Sequence, residues 1–309
     1  MVTDVVARHR TPLAPATDTA AEIRTLPGGA GANAACWAAR SGRDDVRLLG
    51  RVGTDAAGWH ERALRRAGVR PLLVPDADTA TATVIALVDA SAERTFLTDS
   101  GAALRLSPAD WSAGLLDGVA RLHLSGYLFF SGPSRETARR ALRDARTAGV
   151  PVSVDPASAG FLDRLGADRF LAAAEGTELL LPNADEARSL TGGSEPEAAA
   201  AELSRRFPLV VVTLGAAGAL LAEGGSVTAR VAAPPVAPTR RIDSTGAGDA
   251  FTGAFLAALL AGADPARAAE AGCRAGAEAV TVVGGRPPEP RTVPPSPDRP
   301  ELLRPPELP

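Results

Sequence analysis

The chain has 309 residues, 45% of them hydrophobic and only 4% aromatic, which suits one large α/β domain or two small ones with a core of Ala, Val and Leu. A formal net charge of −3 leaves no basic footprint for nucleic acid, and no apolar run approaches the roughly 20 residues of a membrane span. All 33 basic residues are arginine, which excludes two phosphotransfer designs built on a lysine, the P-loop and the protein-kinase strand.

In chain order, segment 5–27 offers two extended runs, Val5–His9 and Ala21–Leu26, around a proline-containing loop. The start, Met-Val-Thr-Asp-Val-Val-Ala-Arg, lacks a signal-peptide pattern, so a cytoplasmic protein is expected. Cys36 and Cys273 lie far apart without metal spacing, and reduced thiols in or near the core fit that compartment. Val46–Val52 reads as a strand and Ala56–Ala67 as an amphipathic helix ended by Gly68. His60 lies on the charged face of that helix and is expected to be solvated; with His9 and His123 it shows no ligand spacing. Segment 79–98 reads as a second strand pair, Thr81–Asp89 and Arg94–Leu97.

Strands are then expected at Leu122–Leu124, Val152–Asp155, Leu179–Leu181 and Leu209–Leu214. Helices fall between them: one capped by Ser134 and running through Ala148, one reaching about Ala174, and two at Asp185–Leu190 and Glu197–Arg206. A short strand, Ala219–Ala222, precedes two alanine-rich helices at about Gly248–Ala261 and Pro265–Val282. Strands spaced by helices imply a mostly parallel sheet covered on both faces, an α/β/α sandwich. The two early strand pairs add a small β-sheet beside it. The tail, 287–309, is dense in proline and expected to be irregular.

The stretch Asp243-Ser-Thr-Gly-Ala-Gly-Asp-Ala-Phe251 carries most of the chemistry. A polar turn runs into an apolar helix, whose first N–H groups lack intrahelical partners and carry partial positive charge. Gly246, Ala247 and Gly248 have no bulk, so an anion can approach those groups closely. A carboxylate beside an anion site is unusual, and Asp249 reads as a base that takes a proton from a nucleophile attacking a phosphate.

Further candidates accompany it. Gly28-Gly29-Ala-Gly-Ala-Asn33 opens a helix, with glycines for close backbone approach and an amide that both donates and accepts. Asp4 is a short acid able to accept bonds from two vicinal hydroxyls. Asn183-Ala-Asp-Glu186, after a strand, reads as a helix cap with early acids. Thr213-Leu-Gly215-Ala-Ala-Gly218 is a tight glycine turn after a strand. Gly50-Arg-Val-Gly-Thr-Asp55-Ala-Ala-Gly58 reads as structural.

The Asp243–Phe251 string resembles the C-terminal signature D-T-x-G-A-G-D-x-F of the ribokinase-like (PfkB) carbohydrate kinases. The Gly28 string is similar to the N-terminal signature of that family, G-G-x-x-x-N-x-A. The resemblance spans Asp4 to about Pro287 and implies a single ribokinase-like domain over 1–309, with lid strands in 5–27 and 79–98. It implies an ATP- and Mg²⁺-dependent kinase that phosphorylates a primary hydroxyl of a small carbohydrate. Asp249 would be the base, with Gly246, Ala247 and Gly248 at the transferring phosphoryl group. Asp4, Gly28, Gly29 and Asn33 would hold the sugar. Asn183 and Glu186 would support Mg²⁺ through water, and Thr213, Gly215 and Gly218 would shape the nucleotide site. Asp243 and Thr245, near Val283–Arg286, match a site for a monovalent cation such as K⁺. Glu93-Arg-Thr95 stands where lid strands carry such a string, and Tyr127 stands at a strand end beside the sugar pocket or in the core.

The family's first strand, which ends in Gly-Asp or Gly-Asn before the acid matched by Asp4, has no counterpart ahead of it. Either the start is assigned too late, which is the reading adopted, or the sheet lacks one strand. A nucleoside kinase of the same family is the nearest alternative, and a catalytically silent sugar- or nucleotide-binding protein is the alternative from another class. Partners are a small-molecule sugar or nucleoside, with no nucleic acid and no membrane. Exposed lid edges lead us to expect a homodimer.

Overall fold

Residues 1–90 and 94–288 are described by the computed structural model. Six strands form the larger sheet: β7 (Leu122–Ser125), β8 (Val152–Asp155), β9 (Leu179–Leu180), β10 (Leu209–Thr213), β11 (Ala219–Glu223) and β12 (Ser226–Val231), in the order β12-β11-β10-β9-β8-β7. The first four are parallel, and the last two close the sheet as antiparallel strands. Side chains of β10 alternate between two cores, as strand geometry requires. Val210 and Val212 face Phe129, Leu142, Phe170 and Leu203, while Val211 faces Phe251, Phe255 and Ala269. Burial on both faces explains why these strands read as unbroken apolar runs.

The first of those faces is covered by α3 (Gly132–Thr147), α4 (Ala159–Leu165), α5 (Ala167–Ala173), α6 (Ala184–Thr191) and α7 (Pro196–Leu203). The second is covered by α8 (Ala247–Leu260) and α9 (Pro265–Ala279), against which α1 (Ala30–Arg40) packs through Trp37. The three-layer α/β/α arrangement therefore follows the sequence reading. Among the described residues no helix is long and apolar enough to cross a membrane.

The parallel layer is divided. Strands β3 (Val46–Gly53) and β4 (Val69–Asp76), linked by α2 (Ala57–Arg66), form a separate parallel pair. A third sheet holds β1 (Val2–His9), β2 (Ala21–Gly28), β5 (Ala82–Val88) and β6 (Arg94–Asp99), in the order β2-β1-β5-β6. The first strand of the chain thus belongs to the small sheet, and Asp4 lies within it. The Glu93 end of the Glu93-Arg-Thr95 string and nearly all of the proline-dense tail lie outside the described residues.

Two expectations are corrected and one strand is added. Helix α3 begins after Ser131; Ser134 sits inside it and donates its hydroxyl to the Leu128 carbonyl at 2.7 Å, anchoring the preceding turn. Strand β4 was not foreseen, because Pro71 and Pro75 argue against a strand; as the outer member of a pair it tolerates them. His60 is fully buried, with Nε2 3.2 Å from Thr3 Oγ1. Burial holds its imidazole neutral, with its pKa pushed down to about 4, aided by Arg286 and the amino terminus.

Candidate active site

The start of α8 is set by a glycine. Gly246 caps the helix with φ 73°, a left-handed conformation, and a Cβ there would collide with the Gly285 backbone. The two segments are tied by Asp243, whose Oδ1 accepts from Thr245 N at 2.9 Å and Oδ2 from Gly284 N at 3.0 Å. A Cβ on Gly248 would meet open space, so this face of the helix start opens into the cleft. The Ala247 N–H turns back to the Ser244 carbonyl at a long 3.3 Å.

Asp249 stands in the first turn of α8, half-buried at the cleft wall. Asn33, buried on α1, donates Nδ2–H to its Oδ2 at 2.8 Å. Burial pushes the Asp249 carboxyl up to about 7; the Asn33 bond opposes this, while Asp155 and Asp4 add to it. The opposite oxygen of the amide, Asn33 Oδ1, is buried without a partner among the described residues. Asp4 rises from β1 against Gly28, where a Cβ would overlap its carboxylate. Burial raises it to about 6. Gly29 caps α1 with φ 99°.

Sequence reasoning missed Asp155, at the carboxyl end of β8. Its Oδ1 accepts from Ala157 N at 2.8 Å and its Oδ2 from Thr252 Oγ1 at 3.4 Å, and burial pushes it up to about 6. The available signal was an acid at the end of a parallel strand, where open α/β sheets place their sites. Glu186 lies close by. It forms a capping box with Asn183, whose backbone N and Nδ2 donate to it at 2.9 and 2.7 Å, while Asn183 Oδ1 accepts from Glu186 N at 2.9 Å. Burial first, then Asp155 and Asp249, push Glu186 up to about 8.

Thr213 ends β10 and bridges to Asn183. Gly215 has φ 58° with open space around it, whereas Gly218 has φ 99° and its Cβ would strike the Val231 carbonyl. The second glycine is therefore required both by its backbone conformation and by the Val231 carbonyl beside it. Tyr127, with Phe130 and Phe161 as edge-on neighbours at 6.0 and 5.7 Å, lines the same cleft as Asp249. Phe96 and Thr98 of the small sheet also line this cavity of about 1110 Å³.

Among the described residues no group of three His, Cys, Asp or Glu is gathered as a metal cage. The oxygen-only donors Asn183, Glu186 and Asp155 instead suit a hydrated Mg²⁺, which takes few protein ligands. Carboxylates raised by burial and then by one another are the electrostatic mark of a site that favours added positive charge.

The cleft thus holds a glycine-rich helix start, without a side-chain cap, beside a half-buried carboxylate. A profile of the pfkB family carbohydrate kinases matches residues 1–292. A fructokinase from Klebsiella pneumoniae is 35% identical over 79% of this chain and 80% of its own length. The adenosine kinase structure from Sinorhizobium meliloti superposes with a TM-score of 0.82 at 23% identity, over 93% of each chain. A ribokinase II candidate from Escherichia coli, in complex with ATP and Mg²⁺, superposes with a TM-score of 0.78 at 24% identity, over 92% of each chain. The chain belongs to the pfkB family of carbohydrate kinases, phosphotransferases with an alcohol group as acceptor.

Proposed function

We infer that the protein moves the γ-phosphoryl group of ATP to a primary hydroxyl of a small sugar, with Asp249 as general base. The observation that carries this reading is the Asp249 carboxyl, poised near neutrality at the cleft wall beside the open face of Gly248. A base with that poise accepts a proton efficiently at physiological pH. The sugar oxygen forms a bond to phosphorus, the bond to the β,γ-bridging oxygen breaks, and the hydroxyl proton passes to Asp249. The Gly246 and Gly248 N–H groups stabilise charge on the phosphoryl oxygens, and Ala247 joins them by releasing its long bond to Ser244. Bound Mg²⁺, supported by Asn183 and Glu186, supplies charge neutralisation for the phosphates. Asp4, Gly28, Gly29 and the unpartnered Asn33 Oδ1 receive sugar hydroxyls. Thr213, Gly215 and Gly218 shape the nucleotide site, and the small sheet acts as a lid that excludes water.

The fructokinase relative favours a sugar over a nucleoside. The Tyr127–Phe130–Phe161 cluster supports the second reading, since rings at a cleft wall suit a nucleobase. A cation such as K⁺ at the Asp243–Thr245 loop belongs to this reading and is tested by exchanging K⁺ for Na⁺. Pairing of two copies through the lid is supported by exposed Ile23, Phe96 and Leu97 and is tested by sedimentation.

The deciding experiment measures ADP release with Mg²⁺-ATP against fructose, ribose, 2-keto-3-deoxygluconate and adenosine. Turnover on a sugar, reduced about 10²–10⁴-fold in Asp249→Asn with an unchanged circular dichroism spectrum, supports the mechanism. Turnover on adenosine alone selects the nucleoside reading, and binding without turnover selects a silent binder.

A further inference from the structure

Asn33 reaches Asp249 from α1, and Trp37 stands one turn further along the same helix, at the i, i+4 spacing that shares a face. Trp37 is 1% exposed and packs with Ala250 and Ala254 of α8 and with Ala275 and Ala279 of α9. Those small side chains leave room for the indole between the helices. A buried indole N–H needs an acceptor. It finds one 248 positions away: Trp37 Nε1 donates to the Gly285 carbonyl at 3.0 Å.

Gly285 touches both halves of the site. A Cβ on it would lie 2.3 Å from Asn33 Nδ2 and 2.9 Å from Asn33 Cγ. Its backbone also abuts the cap of α8, since a Cβ on Gly246 would lie 2.3 Å from Gly285 Cα. One residue earlier, the Gly284 N–H donates to Asp243 Oδ2 at 3.0 Å, and a Cβ on Gly284 would come within 2.8 Å of Leu26 Cδ1. The Gly284–Gly285 segment therefore meets the amide that bonds the carboxylate, the glycine that caps α8 and the loop ahead of it. Asn33 Oδ1 has no partner among the described residues, so the amide is aimed by its one bond to Asp249 and by its contact with Gly285.

We propose that Trp37 is a positioning residue: its indole N–H holds the Gly285 carbonyl, presses the Gly284–Gly285 segment against Asn33 and so keeps the amide on Asp249. The kinetic consequence rests on the reading of Asp249 as the base; the geometric one does not. The Asn33 bond favours the ionised Asp249 against burial, Asp155 and Asp4, and Asp249 in turn acts on Glu186 and Tyr127. Those groups stand on β8, β1, α6 and the turn after β7, outside the cluster packed on Trp37. Arg286, next along the segment, acts on Asp4. Once the indole releases Gly285, the segment backs away, the amide loses its angle and Asp249 takes a proton more readily.

The test compares the 309-residue protein with Trp37→Phe, which keeps a ring and deletes the donor, and with Gly285→Ala, which keeps the donor and drives a methyl into Asn33. Phe255→Leu, in the core that α8 shares with Val211, is the control for lost packing. Titration of the Asp249 and Asp4 carboxyls is followed by ¹³C NMR without substrate, with Asp249→Asn to assign the first. Trp37→Phe and Gly285→Ala are each expected to raise the Asp249 midpoint by about one pH unit, a tenfold gain in proton affinity. The double variant should move it no further, because both changes act through one contact. Phe255→Leu should lower Tm and leave the midpoint in place. In the unaltered protein the Trp37 indole proton should exchange slowly and its resonance should move with the Asp249 titration, a readout that needs no variant to fold. An unmoved midpoint in Trp37→Phe would overturn the proposal. So would an equal shift in Phe255→Leu, or a Trp37 indole proton that exchanges as fast as that of partly exposed Trp59. A moved midpoint in a protein that turns over no compound would uphold the proposal and count against the kinase reading alone.

Discussion

Asp249 and Asn33 stand 216 positions apart in sequence and 2.8 Å apart in space. The amide hydrogen bond favours the ionised carboxylate, while burial and the neighbouring Asp155 and Asp4 favour the protonated form. The proposed reaction needs the ionised form, so kcat/KM should rise with pH through about 7 as Asp249 loses its proton. Replacing Asn33 with Ala removes the one interaction that lowers this pKa. The ascending limb should then move to higher pH, and activity at pH 7 should fall by about 10-fold or more. A pH series of kcat/KM for both proteins checks this; an unmoved limb in Asn33→Ala would mean that the amide does not tune the base.

The pair is held by the contact between α1 and α8. Gly253 lies where the helices come closest, and a Cβ there would overlap the Ala34 carbonyl and sit 2.8 Å from Ala38 N and Trp37 Cβ. Gly253→Ala should therefore push α1 off α8. Overpacking of this kind costs about 1–3 kcal/mol, read as a lower Tm, and kcat should fall with it because Asn33 shifts from Asp249. Loss of stability with kcat unchanged would separate the contact from the site. The sequence disclosed α8 and its glycines through local chemistry, but nothing local marks Gly253 as a helix–helix contact. The same limit applies elsewhere. Central strands such as Val152–Asp155 were legible because burial on both faces forces an apolar run. Outer strands β4 and β12 were not, since β4 carries prolines and β12 is largely exposed. Asn183 and Glu186 satisfied a helix-cap rule and a metal-site rule at once. Asp155 follows no motif and becomes visible only when β8, α6 and α8 converge on one cleft.

Across the whole molecule, buried ionisable groups pull stability in opposite directions as pH changes. His60 and His123 are held neutral, with pKa values pushed down to about 4 by burial. The unfolded chain binds their protons below about 6.5, so their contribution to stability is lost as pH falls through the window from 6.5 to 4. Asp4, Asp155, Glu186 and Asp249 behave inversely. Their folded pKa values of about 6, 6, 8 and 7 lie above their unfolded values, so stability is present at low pH and lost as pH rises through those folded values. Above pH 6.5 the histidines no longer contribute to the slope, and Tm of the ligand-free protein should fall between pH 6.5 and 8. Asp155→Asn isolates the cause, because an amide can still accept from Ala157 N and can donate to Thr252 Oγ1. At pH 8 the variant no longer buries that charge, a relief of about 1–3 kcal/mol, which should raise Tm by several degrees. Removing Asp155 also removes one cause of the raised Asp249 pKa, so the ascending limb of kcat/KM should move to lower pH. Thermal scans and pH–rate profiles on the same variant measure both effects. A raised Tm with an unmoved limb would confine Asp155 to stability, whereas a shift in both would place it in the electrostatics of the base: burial first, and then the neighbouring Asp155 and Asp4, keep Asp249 near neutrality.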